Sequence, residues 1–201
     1  MIPLKQEEIN LKFDQTRWDE RFKGKGFALG KEANPILRRY IKLFPKGKAL
    51  DIAAGEGRNS VFMARHGFDV DAIDISEMGL KKADRLAKEM GVKIHPSLSD
   101  LDSYQIKKDQ YDLIADFYFL KRSLIPRIKK GLKKGGRVIF ETYTLETLLR
   151  GLEGPREAKY LLKANELLDL FRDFRVLFYR EGVFREGGRN KAVASLIAEK
   201  V

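Results

Sequence analysis

There is no cysteine in the chain, and its only histidines are His66 and His95. Disulfides, thiolate metal sites and cysteine nucleophiles are thereby excluded. Two histidines this far apart make no metal cluster, and His66 reads as an ordinary residue at a helix C-terminus. Nor is there an apolar run approaching the roughly eighteen residues that a membrane-spanning helix needs. The opening MIPLKQEEIN lacks the apolar core of a secretory leader, so the expected location is cytoplasmic and no membrane partner is expected. What the chain does have is charge: 40 Lys and Arg against 29 Asp and Glu, a net +11. The cations come in scattered pairs such as Lys81-Lys82 and Lys133-Lys134, on stretches that read as outer helix faces and turns. A solvated surface accounts for them before a phosphate-binding one does. The 201 residues, 43% of them hydrophobic, suit one well-buried domain, taken as 1–201.

Lys48 to Ile75 is the stretch around which the chain is organised. Ala49, Leu50 and Ile52 form a buried strand that runs into Asp51-Ile52-Ala53-Ala54-Gly55-Glu56-Gly57. Val61, Phe62, Ala64 and Arg65 then follow a helical period that Gly67 ends, and Val70, Ala72 and Ile73 make a second strand closed by Asp74. A βαβ unit with glycines at its first turn and an acid nearly twenty residues on is how an open parallel sheet holds an adenosine. The backbone approaches the ligand, and the acid takes the ribose hydroxyls.

Charge decides which adenosine ligand. A dinucleotide fold presents bare amides to a pyrophosphate, whereas this turn holds Asp51 and Glu56, and Ser60 stands where a third glycine would fall. S-adenosylmethionine carries no phosphate but does carry a sulfonium and an ammonium, which acids at the mouth favour. On these residues the chain resembles the class I methyltransferases, whose first motif is an acid followed by alternating glycines; here it runs Asp51, Ala53, Gly55, Gly57, with alanine in the first glycine position.

Before the sheet, Phe13, Arg17, Trp18, Arg21 and Phe22 fit one short amphipathic helix, and Gly24, Gly26 and Gly30 loosen the segment after it. GKGFALGKE is no phosphate loop: the glycine spacing is one residue short, Glu32 replaces the Ser or Thr, and no strand precedes it. The Trp-Asp-x-Arg stretch resembles the tellurite-resistance and thiopurine-type methyltransferases, where such a segment closes over the cofactor. Residues 1–33 are thus expected to form a helix and a lid bearing Trp18 and Phe27, with plain core packing for Trp18 an equal alternative. Asn34-Pro35 starts a helix through Phe44, Ser76 caps another through Met90, and Val92 to His95 reads as a third strand. The resemblance implies an acid after that strand for the adenine amino group, Asp100, with Asp102 its competitor.

Tyr111 to Phe117 reads as the fourth strand, and Leu132-Lys133-Lys134-Gly135-Gly136 resembles the family's turn into the fifth. Asp116-Phe117-Tyr118-Phe119 lacks the prolines of the amino-methyltransferases of DNA adenine and protein glutamine, so those acceptors are disfavoured. Leu145 to Leu162 has no clear period and suits a substrate-covering insertion. Asn165 is expected to cap a last helix, and Arg175 to Phe184 with Lys191 to Ala198 read as a hairpin. The expected fold is α/β, a Rossmann-like, mostly parallel sheet of seven strands ending in an antiparallel hairpin, with helices on both faces. The cofactor contacts implied by the resemblance are Asp51, Ala53, Ala54, Gly55, Glu56, Gly57, Asp74, Ile75, Asp100, Leu101 and Phe117, with Trp18 and Phe27 from the lid. Methyl transfer needs alignment and exclusion of water more than acid–base chemistry. Position alone makes Tyr118, Glu141 and Tyr143 candidate bases, and Arg122 a partner for an acidic acceptor. A small-molecule acceptor is the first expectation. An RNA methyltransferase using the basic surface is the second, and a non-catalytic nucleoside-binding or interaction module the third. No metal is expected.

Overall fold

The computed structural model describes the backbone from residue 6 and side chains from residue 13 onward, so the first five residues of MIPLKQEEIN lie outside the described residues. The elements in chain order are α1 (Gln6–Phe22), α2 (Pro35–Tyr40), β1 (Lys48–Ile52), α3 (Arg58–Arg65), β2 (Asp69–Asp74), α4 (Glu77–Glu89), β3 (His95–Leu98) and β4 (Tyr111–Phe117). They continue with α5 (Ile125–Gly131), β5 (Leu132–Tyr143), α6 (Glu146–Leu149), α7 (Glu166–Leu170), β6 (Arg175–Glu186) and β7 (Arg189–Glu199). The sheet has seven strands in the order β3-β2-β1-β4-β5-β7-β6. Its first five strands pair in parallel where register is defined, and β6 and β7 form the terminal antiparallel hairpin. This is the Rossmann-like architecture expected from the sequence. No described helix is long and apolar enough to cross a membrane.

The chain divides into two compact units, one of residues up to Leu43 with Gly47–Gln105, the other of Phe44–Lys46 with Ile106–Val201. In the first, Leu50, Val70 and Ala72 are fully buried in strands whose neighbours are parallel, which is why β1 and β2 read as apolar runs. Helix α4 turns Leu80, Ala83, Leu86 and Ala87 inward at helical spacing and is started by the Ser76 hydroxyl, which accepts from the amide of Gly79 at 3.0 Å. The third strand falls at His95–Leu98, a little later than the pattern suggests, because the Val92 amide is still tied to α4, donating to the Ala87 carbonyl at 3.0 Å.

In the second unit β5 pairs with β4 and β7, and Ile139 and Phe140 are fully buried. The hairpin is longer than the sequence implies: β6 and β7 run on to a two-residue turn, Gly187-Gly188, with φ of 57° and 79°. Positive φ at both central residues matches the twist of a hairpin and demands glycine. Asn165 does not cap α7 with its side chain; it lies left-handed at φ 61°, and its amide donates to Glu181 Oε2 at 3.0 Å. The 145–162 stretch is ordered by α6, a 3-10 turn at Ala158–Tyr160 and a bridge between Thr144 and Leu162.

Candidate functional site

The glycine turn after β1 is built by hydrogen bonds that leave its shape little freedom. Ala54 donates to the Ile73 carbonyl at 2.9 Å, Gly57 to the Ala54 carbonyl at 2.9 Å, and Gly55 to Asp74 Oδ2 at 2.7 Å. Asp74 Oδ1 accepts from the Ser76 amide at 2.8 Å. Gly57 is obligatory for packing as well as for its φ of 78°, since a Cβ there would lie 2.4 Å from that of Ala83. Ala53 occupies the first glycine position in the left-handed region, at φ 52°. That conformation costs a non-glycine residue about 1–2 kcal/mol. Ala53→Gly is therefore expected to stabilise the protein by about 0.5–1 kcal/mol after the added unfolded-state entropy is subtracted. A higher urea midpoint would show it.

Asp51 is 1% exposed, with its Oδ2 accepting from the Ser60 hydroxyl at 2.5 Å. Serine at that position thus satisfies a buried acid. Burial pushes the Asp51 carboxyl up to about 7, opposed by the Ser60 bond and helped by the Asp74 charge. Asp74 is raised too, chiefly by burial and against its amide bonds. A carboxyl raised in the folded state keeps a proton that the unfolded chain has already lost, so stability is greater below the window and falls as pH rises from about 4 to about 7. Denaturation midpoints at pH 5 and pH 8 should differ in that sense, and Asp51→Asn should reduce the difference.

Glu56 is also buried but does not face the mouth as a free charge. It accepts from the amides of Ala28 at 3.0 Å and Leu29 at 2.9 Å, and pairs with Lys82 Nζ at 2.9 Å. The pair is enclosed, with side-chain exposures of 8% for Lys82 and 1% for Glu56. Lys82 also donates to the Gly26 carbonyl at 2.5 Å and lies 5.9 Å from the centre of the Phe27 ring. Glu56 therefore fastens the N-terminal segment to the glycine turn. Its charge is thus spent on Lys82 and the two amides.

Helix α1 is longer than the sequence suggests and Phe13 is 68% exposed, outside any apolar face. Trp18 is half-buried and stacks on Phe22 at 5.7 Å, and Phe22 covers Gly55, approaching within 3.4 Å of where its Cβ would be. Asp19 accepts from the Ser76 hydroxyl at 2.6 Å and the Met78 amide at 3.0 Å. The segment is thus docked on this unit in the structure. Asp100 heads a turn, its Oδ1 accepting from the Asp102 amide at 2.9 Å, and the Ser99 amide bonds the Asp74 carbonyl at 3.0 Å. Asp100 is half-buried, whereas Asp102 is exposed; Leu101 is buried and Ile75 half-buried. Asp19 was not singled out by sequence reasoning, and Lys82, read there as an outer-face cation, is instead buried at 7% exposure. Lys82 left a signal, a charged residue on the inward face of α4.

In the second unit the register aligns Glu141 with Ser195 and Ser195 with Arg180, one polar row across β5, β7 and β6. Glu141 is wholly buried, and its Oε2 accepts from the Ser195 hydroxyl at 2.7 Å and Arg180 Nη2 at 3.2 Å. Arg180 Nη2 also bonds Glu186 Oε1 at 2.7 Å. Tyr118, left-handed at φ 64°, donates its amide to the Glu141 carbonyl at 2.7 Å and its hydroxyl to Glu186 Oε2 at 3.2 Å. Burial first, then the Glu141 and Glu186 charges, push the Tyr118 phenol far above its ordinary value, which favours its protonated form. The Tyr143 ring lies 5.2 Å from that of Tyr118, and Phe117 is buried at the end of β4.

Arg122 is removed as an acceptor partner. Its guanidinium pairs with Glu166 at 2.5 and 2.9 Å and donates to the carbonyls of Lys159 at 2.8 Å and Leu161 at 2.9 Å. It staples the 145–162 stretch to the start of α5. Among the described residues no cluster of His, Asp and Glu could hold a metal ion.

A glycine turn over β1, an acid closing β2 and a terminal hairpin on a parallel sheet define the class I methyltransferase fold. The family model for the tellurite resistance protein TehB matches residues 19–191, and the chain belongs to that family. It is 27% identical over 148 residues to the probable S-adenosyl-L-methionine-dependent methyltransferase TehB of Haemophilus influenzae, covering 71% of this chain and 51% of that protein. It is 29% identical over 154 residues to the ubiquinone biosynthesis O-methyltransferase of Photorhabdus laumondii, covering 67% of this chain and 64% of that one. The chain thus spans about half the length of the first of these relatives. The crystal structure of TehB from Haemophilus influenzae superposes with a TM-score of 0.71 at 20% identity, covering 93% of this chain and 67% of that one.

Proposed function

We propose that residues 1–201 act as one S-adenosylmethionine-dependent methyltransferase domain that methylates a small-molecule acceptor by in-line displacement in the cytoplasm. The observation that carries this reading is Asp74. Its oxygens accept from the amides of Gly55 and Ser76, with the Ile75 amide bonding the carboxylate as well, and a carboxylate offers about four lone-pair sites. One remains for a hydroxyl of a ribose. Once ionised, Asp51 and Asp74 make the turn hostile to a pyrophosphate, and a sulfonium and an ammonium beside them favour that ionised form. Ala53, Ala54, Gly55 and Gly57 supply the close backbone, Ile75 and Leu101 the apolar walls and Asp100 the adenine acceptor. Trp18 and Phe27 belong to a lid, and Phe117 is the further cofactor contact that the family resemblance implies. S-adenosylmethionine supplies an activated methyl group on a neutral leaving group, so the protein aligns the reactants and keeps water out.

Of the position-based candidates, Tyr118 and Tyr143 orient the acceptor, and Glu141 holds Arg180 and Ser195 rather than taking a proton. The small-molecule reading is preferred to RNA because the cations Lys82, Lys129, Lys133 and Arg137 are each paired with an acid. Methyl-labelled S-adenosylmethionine incubated with protein and a cell extract separates the readings. Label in the low-molecular-weight fraction is expected, whereas salt-sensitive label in the RNA fraction would favour the basic-surface reading. No transfer at all, with cofactor bound, would favour a nucleoside-binding module.

A further inference from the structure

The polar row of the second unit has an uneven distribution of charge with depth. Its carboxylates lie deepest, Glu141 at 0% and Glu186 at 9% side-chain exposure, while Arg180 and Lys191 are each 26% exposed. Arg180 uses Nε for the Ser195 hydroxyl and Nη2 for the two acids. Its Nη1 group has no partner among the described residues. Lys191 Nζ donates to the Tyr118 hydroxyl at 3.2 Å and stands 3.7 Å from Glu186, which leaves an ammonium hydrogen over. The groups that reach outward are therefore donors on cations. Around them lie aromatic faces: Arg180 is 4.1 Å from the centre of the Phe184 ring, Lys191 is 4.6 Å from that of Tyr118, and the Tyr143 ring adjoins Tyr118.

Two cations against two acids leave the row neutral, so it accommodates one added negative charge more readily than two. A guanidinium edge beside an ammonium suits the two oxygens of a carboxylate, and the rings suit a planar body. We infer that Arg180 and Lys191 form a specificity site for an acceptor that carries a single carboxylate on a planar ring. The inference rests on the methyl-transfer reading and gives it an acceptor class. Tyr118 orients the same molecule, because its phenol stays protonated and its position is set by Lys191 and Glu186.

The test loads the protein with S-adenosylhomocysteine and measures calorimetric binding of 4-hydroxybenzoate and of its neutral counterpart 4-hydroxybenzamide. The carboxylate is expected to bind at least tenfold more tightly than the amide. Arg180→Lys, which keeps the charge but loses the fork, and Lys191→Gln should each bring that ratio below threefold, with near-native circular dichroism. Should Arg180→Lys not fold, Lys191→Gln decides, since that side chain is on the outer part of its strand. Equal binding of the two probes, binding of neither, or a ratio unchanged in the folded variants would overturn the inference. Loss of S-adenosylhomocysteine binding itself, measured first, would instead count against the methyl-transfer reading.

Discussion

Replacing Lys82 by methionine is expected to destabilise the protein by about 3–5 kcal/mol, the cost of leaving one partner of a buried ion pair uncompensated. Glu56, 1% exposed, would keep the two amides of Ala28 and Leu29 but lose its only cation among the described residues. The Gly26 carbonyl would lose its donor as well. The damage should be local at first: residues 23–30 should exchange their amide hydrogens faster than in the parent, while β1 and β2 keep their protection. The double variant Glu56→Gln with Lys82→Met removes both charges and should recover part of the loss. A lysine that served only as a solvated surface charge would cost less than about 0.5 kcal/mol, and equal stability of Lys82→Met and parent would refute the buried-latch account.

Asp74→Ala is expected to weaken cofactor binding by about 1.5–3 kcal/mol, roughly ten- to a hundredfold, as the ribose loses a charged acceptor. The structure adds a second consequence. Gly55 and Ser76 would each be left with an unpaired amide, at roughly 1–3 kcal/mol apiece. The variant should therefore melt lower even without ligand. Asp74→Asn, which retains one acceptor oxygen, should fall between. Calorimetric affinity together with a ligand-free melt separates the two roles: a lowered melt with unchanged affinity would make Asp74 purely structural.

The first half of the sheet was legible because its signals are local. Fully buried strands read as short apolar runs, and Gly55, Gly57 and Asp74 mark the turn and strand end that the backbone needs. The third strand was displaced because β3 is short and mostly exposed, leaving no apolar period to read. Long-range pairings were not legible. That Glu56 meets Lys82 depends on the fold placing the glycine turn beside an inward position of α4. The Arg180–Ser195 pairing follows from the Gly187-Gly188 turn, but the pairing of Ser195 with Glu141, 54 residues apart, is one that no spacing in the sequence reveals. Arg122 misled because an arginine near the end of a parallel strand suggests an anion site, yet its partner is Glu166, 44 residues on.

The central claim, that the turn between β1 and α3 holds S-adenosylmethionine, is tested most directly by titrating the ligand-free protein with S-adenosylhomocysteine and, separately, with NAD. Calorimetry should show saturable binding of S-adenosylhomocysteine at one site per chain and a raised melting temperature, with no heat and no shift from NAD. Binding of NAD, or an absence of S-adenosylhomocysteine binding to protein that melts cooperatively, would contradict the account.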